Sequence, residues 1–237
     1  MDAIHYLSQT KSYFNHIDAQ NIQFGADYFM LKGIFTKGET TDEIQCNLKE
    51  IEGKILKCNG KKYKRFSEHI GKFPVVIISP TDTNLILEGS EVRRKYVDSS
   101  IAQYKQSYLK TLIHYNKTIK QRNGLLKQFS DREYFDDITL DIYDKQLIAL
   151  GVIIHKERTD FLQALTPVFA RYYAEISGSK EIVNIAYKSQ LNEDDYSDLI
   201  KESLQKDRAS NYTRDVQEKS AIVSNTKCYG KTDFGTG

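Results

Sequence analysis

The chain has 237 residues, 40% of them hydrophobic, with 34 basic and 32 acidic side chains and a formal net charge of +2. Such a length holds about one to two domains, and the apolar share excludes wholesale disorder. The near-balance of charge requires any nucleic-acid affinity to come from local patches. The longest uncharged apolar run, Leu147 to Ile154, falls well short of the ~20 residues that cross a bilayer. The opening MDAIHYLSQTK has none of the sections of a secretory signal, so a cytoplasmic location with no membrane partner is expected. Cys46, Cys58 and Cys228 form no CxxC pair and the five histidines are dispersed. Neither a disulfide framework nor a metal site is expected.

The balance hides a division: residues 1–130 carry a net +7 and residues 131–237 a net −5. In chain order, DAIHYLS has helical spacing, and Tyr28 to Phe35, Glu43 to Lys49 and Gly53 to Cys58 read as strands. Asn59-Gly60 is a strong hairpin signal, because both central residues of a type I′ turn take positive φ. Phe66 to Gly71 is expected to form a brief helix. The β-branched run between Phe73 and Pro80 reads as a strand buried on both faces.

At Ser90 the period changes. Ser90 is the expected N-cap of a long helix reaching Gln128, whose stripe is Ile101, Tyr104, Tyr108, Leu112, Tyr115, Ile119 and Leu126. Ser130 to Glu133 fits a capping box that would start a second helix running to Thr166. Thr166-Pro167 then offers either a new helix start or a kink, and Ser177-Gly178 a stop. Glu181 to Tyr187 reads as a returning strand and Asn192 to Asp207 as an acidic helix. The expected division is a β-rich part over 1–89, a helical insertion over 90–178 and a return to the sheet over 179–207. Residues 208–237 have no period and are left unassigned. The fold class is α+β.

Two basic patches could carry chemistry. Residues 53–67 hold Lys54, Lys57, Lys61, Lys62, Lys64 and Arg65 with no acid among them, around the expected hairpin tip. Such a hairpin can follow a phosphate backbone, each neutralised phosphate releasing counterions. Equally, its lysines can serve only to keep a sheet edge from aggregating. On the long helix no acidic residue lies between Ser99 and Ser130, and Lys110, Lys117, Lys120 and Lys127 share one side. That ridge either meets DNA or matches the acidic stretch that follows it. Arg93 and Arg94 lie near the helix start, and Arg94 is four residues before Asp98, the spacing of an intrahelical ion pair. Gly230-Lys231-Thr232 is a poor phosphate loop, since Asn225 stands where its first glycine belongs and no helix follows. No catalytic residues are assigned.

The segment from Phe73 to Lys127 resembles the middle of the RecF family, ABC/SMC-type ATPases of bacterial recombinational repair. The matching residues are Ser79-Pro80, Asp82, Gly89, Arg93-Arg94, Val97-Asp98 and Gln121-Arg122-Asn123, followed by Leu125-Leu126-Lys127. The proline that many members carry between the glycine and the arginines is absent. Softer agreements extend from Asp2 to Asp207. The resemblance implies a partial ATPase head, with a mixed or antiparallel β lobe and an inserted helical lobe. It places the family's Walker A loop immediately before DAIHYLS and its signature and Walker B motifs after this sequence, so a fragment without ATPase activity of its own is expected. For the full-length family it implies ATP and magnesium, an ATP-dependent homodimer, double-stranded DNA or single-strand/double-strand junctions, and RecO and RecR as partners. For this chain alone no cofactor is expected. The alternative is a helical protein-interaction module, or another SMC-like scaffold, without DNA binding.

Overall fold

The computed structural model describes residues 1–15, 17–132, 135–179, 181–213 and 221–228, the last stretch by its backbone. It divides into two compact units. Met1–Thr83 and Ala102–Leu109 form the first, and Asn84–Ile101 with the chain from Lys110 onward forms the second.

The first unit opens with helix α1 (Asp2–Gln9), closed by Thr10 at φ 61°. The Asp2 carboxylate accepts from the Ser12 hydroxyl at 2.7 Å and the Tyr13 amide at 2.8 Å, folding the chain back across the helix start. Four strands follow as an antiparallel meander in sequence order: β1 (Tyr28–Lys37), β2 (Thr40–Lys49), β3 (Gly53–Cys58) and β4 (Lys61–Lys62). Alternation decides which face is buried. Ile44, Cys46 and Leu56 point inward and, with Tyr6 and Leu7 of α1, make the core, flanked by Phe29, Leu31, Phe35, Tyr63 and Phe73. At Gly33 the sheet lies tight against α1, since a Cβ there would sit 2.7 Å from Leu7 Cδ1. The Asn59-Gly60 turn forms as expected, with φ of 50° and 78°.

Two expectations in this unit fail. Phe66–Glu68 is one turn of 3₁₀ helix, shorter than the helix expected there. The run after Phe73 is extended but joins no strand among the described residues. Its backbone is held by side chains instead: Ser8 Oγ donates to the Phe73 carbonyl at 2.5 Å, and the Val75 amide donates to Gln103 Oε1 at 2.9 Å. Val76 and Ile78 are both 84% exposed, so the run is not buried on both faces. An apolar β-branched run encodes extended backbone, whereas a ladder also needs a neighbouring strand.

The second unit is mainly helical: α2 (Asn84–Leu87), α3 (Ser90–Tyr104), α4 (Gln106–Arg132), α5 (Asp137–Ser177) and α6 (Tyr196–Ser210), with strands β5 (Glu181–Lys188) and β6 (Ala221–Cys228) paired antiparallel. The single long helix expected from Ser90 is interrupted at Lys105, and the ends flanking the break, Ala102 to Leu109, pack with the first unit. There Gly71, at φ 87°, backs directly onto the Gln103 carbonyl, and Gln106 donates to the Ile70 carbonyl. Of the expected stripe, Ile101, Tyr108, Tyr115 and Leu126 are buried, while Tyr104, next to the break, is exposed.

The cap of α5 is Asp136, whose carboxylate accepts from the amides of Ile138 and Thr139, and α4 runs through Ser130 to Arg132. Glu133, the last residue of the expected capping box, lies outside the described residues. Helix α5 is continuous through Pro167 for 41 residues. The Thr166 hydroxyl donates to the Leu162 carbonyl at 2.7 Å, one turn before the proline. Gly178 at φ 62° ends α5 as expected. Helix α6 begins at Tyr196, later than expected, after a 3₁₀ turn at Gln190–Asn192. Residues 208–210 complete α6 and 221–228 form β6, so both elements enter the stretch that lacks a sequence period. The Gly230-Lys231-Thr232 triplet lies outside the described residues.

Candidate nucleic-acid interface

The basic hairpin separates into an inner and an outer set of charges. Lys54, at the base of β3, points inward. Its ammonium donates to Asp18 Oδ2 and to the Thr10 carbonyl, each at 2.6 Å, and sits 5.2 Å from the Tyr6 ring centre and 5.4 Å from that of Phe66. Tyr6 in turn donates to Asp18 Oδ1 at 2.5 Å, and burial beside that carboxylate pushes its phenol well above the ordinary value of 10. Lys54 therefore ties α1, the Asp18 turn and the sheet together and is withdrawn from any ligand. Lys61, Lys62, Lys64 and Arg65 are exposed and Lys57 is half-buried. None of these five forms an ion pair among the described residues.

The inner edge of the same hairpin is compensated. Asp42 accepts from Lys72 at 3.0 Å and from Asn59 Nδ2 at 2.8 Å, and these contacts hold its carboxyl below the ordinary range. Asn59 also closes the turn through its side-chain oxygen, which accepts from the Glu43 amide at 2.8 Å. Turn geometry and local charge are thus fixed by one asparagine, leaving the lysines free to face outward.

In the helical unit the basic residues also divide. Lys110, Lys117, Lys120 and Lys127 are exposed along α4. Arg93 donates to the carbonyls of Leu85 at 2.9 Å and Glu88 at 2.8 Å, closing α2 and the turn after it. Arg94 is buried and donates to Ser90 Oγ at 2.7 Å. Asp98 is engaged from another helix: Arg158 of α5 approaches it with Nε at 2.7 Å and Nη2 at 2.8 Å, a two-pronged contact between α3 and α5.

Arg122 is fully buried. Its Nε meets Asp144 of α5 at 2.6 Å, and its Nη1 meets Asp207 of α6 at 2.7 Å and Thr213 Oγ1 at 3.0 Å. Asn123 accepts from the Thr213 amide at 2.7 Å and hydroxyl at 2.5 Å. Burial pushes the Asp144 carboxyl upward against the pull of Arg122. The Gln121-Arg122-Asn123 motif is thus an internal joint for α4, α5, α6 and the residues after α6. Tyr115 of α4 and Tyr196 of α6 share a buried hydroxyl contact of 2.6 Å, and the Tyr196 ring occupies the space a Cβ at Gly151 would need. Of the other motif residues, Asp82 accepts from the Ser79 amide at 2.8 Å and from the Tyr13 hydroxyl, which shapes the turn at Pro80. Gly89 is exposed and has open space where a Cβ would lie. Sequence spacing did not signal the Asp18, Asp144, Asp207 or Arg158 partners, which lie 22 to 85 residues from the groups they meet.

An antiparallel β unit joined in sequence to long helices is the architecture of an ABC/SMC-type ATPase head, and the solved structures with this fold bear that out. One described as the recombination mediator protein RecF-ATP in the RecFOR pathway superimposes with a TM-score of 0.87 at 29% identity, covering 95% of this chain and 62% of that one. A second, RecF-ATPrS, gives 0.85 at 28% identity. Among curated proteins, the DNA replication and repair protein RecF of Flavobacterium johnsoniae is 46% identical over 213 residues, 90% of this chain and 59% of its own. That of Phocaeicola vulgatus is 40% identical over 224 residues, 94% and 60% respectively. No protein-family model matches. The chain is similar to RecF proteins over about nine tenths of its own length and spans about three fifths of the length of the relatives it matches.

Proposed function

We propose that this chain contributes DNA contact to a RecF-like repair and recombination protein, through the backbone phosphates of duplex DNA or of single-strand/double-strand junctions. The observation that carries this reading is the set of five basic side chains at the β3–β4 hairpin, Lys57, Lys61, Lys62, Lys64 and Arg65, without an ion pair among the described residues. Structural lysines in this protein look different: Lys54 and Lys72 both meet carboxylates. Uncompensated charge on a protruding turn suits a polyanion, since neutralising phosphates releases condensed counterions. The α4 lysines are a second contact in this reading, whereas Lys54, Arg93 and Arg94 serve the fold.

ATP, magnesium, ATP-dependent pairing of two copies and work with RecO and RecR belong to the proposal for the full-length protein. Among the described residues, no group of His, Cys, Asp or Glu could hold a metal ion. No catalytic step is assigned to this chain.

The test is duplex retardation across a salt series with the chain as it stands. Binding should weaken steeply with salt, and neutralising Lys61, Lys62, Lys64 and Arg65 together should flatten the slope by roughly one per lost phosphate contact. Unchanged affinity in that variant would favour the reading of the helical part as a protein-docking surface.

A further inference from the structure

The tip lysines splay from a turn, but two of the hairpin's lysines are held in a defined arrangement. Lys57 and Lys62 are directly opposite in the β3–β4 register. The pair next to the turn is Cys58 and Lys61, and on the far side the Tyr63 amide donates to the Leu56 carbonyl at 3.0 Å. Lys57 and Lys62 therefore occupy the non-hydrogen-bonded position between two bonded pairs, where Cα atoms approach to ~4.5 Å and side chains are closest. Like charges directly opposite are destabilising.

Among the described residues, no carboxylate on this face meets Lys57 or Lys62. The register continues from Lys57 to Gln45 of β2 and on to Lys32 of β1, so one row across the sheet reads Lys32, Gln45, Lys57, Lys62. Glu43, the carboxylate on the neighbouring row, is engaged by Lys32 at 2.8 Å. Gln45 is neutral, with its amide turned toward Asn47 Oδ1 at 3.0 Å. The opposite side of the hairpin, by contrast, has Asp42 for Lys72. Lys72 thus meets a carboxylate on one side of the hairpin, and Lys57 and Lys62 meet none among the described residues on the other.

We propose that the outer face of the sheet at Lys57 and Lys62 is a phosphate site for the nucleic-acid backbone. The two ammonium groups would converge on one phosphate, which removes their mutual repulsion, and the turn lysines would extend the track to its neighbours. This rests on the DNA-contact reading above and adds which residues form the defined subsite and which face of the sheet meets the backbone. It has a signature that ordinary surface lysines lack: stability of the free protein and affinity for DNA should move in opposite directions.

The experiment compares the full chain with its Lys62→Glu and Lys62→Arg variants and with a Lys61→Gln/Lys64→Gln/Arg65→Gln triple variant. Thermal unfolding without DNA and retardation of a duplex oligonucleotide across a salt series are measured for each. Lys62→Glu should melt about 1–3 °C higher, because a repulsive cross-strand pair becomes attractive. It should also bind the duplex more weakly, with a salt slope shallower by about one, while Lys62→Arg keeps the wild-type values of both. A Lys62→Glu protein that melts lower than wild type, or that binds as tightly, overturns the subsite. If the triple variant alone weakens binding, the hairpin reading stands and only this subsite falls. If the wild-type chain shows no salt-dependent binding, both fall together.

Discussion

The arginine of the helical unit and the lysines of the sheet unit come from the same kind of sequence signal, a basic residue in a run without acids, and they meet opposite fates. Arg122 lies in the acid-free stretch of α4 yet is fully buried, with Asp144 and Asp207 folded onto it. Lys61, Lys62 and Lys64 lie in the acid-free hairpin and remain exposed. The difference is one of topology. Helices α5 and α6 return to α4 and bring carboxylates with them, whereas a two-residue turn projects its flanking charges away from the sheet. An acid-free run in sequence therefore says nothing about whether a charge is free in space. It indicates only that a partner, if there is one, must come from far along the chain.

The largest test of that contrast is Arg122→Met. Removing the guanidinium takes the cationic contact from the buried Asp207 carboxylate, so urea unfolding should show a loss of about 3–5 kcal/mol. A loss below about 1 kcal/mol, the size of an exposed ion pair, would mean that the joint is not what holds α6. Within the sheet unit the contrast can be sharpened on two lysines seven residues apart. Lys54→Ala should lower stability by about 1.5–3 kcal/mol through its charged hydrogen bonds, and Lys61→Ala should stay within about 0.5 kcal/mol of wild type. Equal effects would erase the division into inner and outer charges. Gly151→Ala places a methyl against the Tyr196 ring, and overpacking of this kind should lower stability by about 1–3 kcal/mol in the same assay.

The smallest expected effect is on pH dependence, and it appears in both units. His69 is buried with Nε2 at 2.7 Å from the Leu7 carbonyl, and burial holds its pKa below the ordinary 6.5. His155 is held below 6.5 by burial and by Arg158. The unfolded chain then takes up these protons first as pH falls. The associated stability is complete above about pH 6.5 and is lost progressively below it. Denaturation midpoints at pH 7.5 and 5.5 should differ in that direction, and His69→Gln should reduce the difference. A variant with an undiminished pH dependence would assign the effect to other groups.

Much of the fold could be read from local sequence. The alternation in EIQCNLK and GKILKC gave β2 and β3 because one face of a half-buried sheet must be apolar. Asn59-Gly60 gave the hairpin because few residue pairs take positive φ twice in succession. The resemblance carried by Ser79 to Lys127 pointed to RecF, and the chain is similar to RecF proteins over nine tenths of its length. What escaped depended on distant partners. Nothing near Lys105 signals the break between α3 and α4, which lies where Gly71 and Ile70 approach from the sheet unit. Nothing near Ser130 shows that Asp136, and not the capping box, starts α5. The run after Phe73 was legible as extended but not as unpaired.

The sequence by itself determined the elements and most of their ends, since helix and strand periods, glycine stops and turn chemistry act within a few residues. It also determined that any DNA contact must come from basic patches, because net charge is near zero. Only the tertiary structure decided which of those basic residues are available. Lys54, Arg93, Arg94 and Arg122 are drawn inward by Asp18, by the carbonyls of Leu85 and Glu88, by Ser90, and by Asp144 and Asp207. Lys57 and Lys62 are set side by side on an open face. A charge is committed or left free according to what the fold brings within hydrogen-bonding distance, and that distance is measured through space, not along the chain.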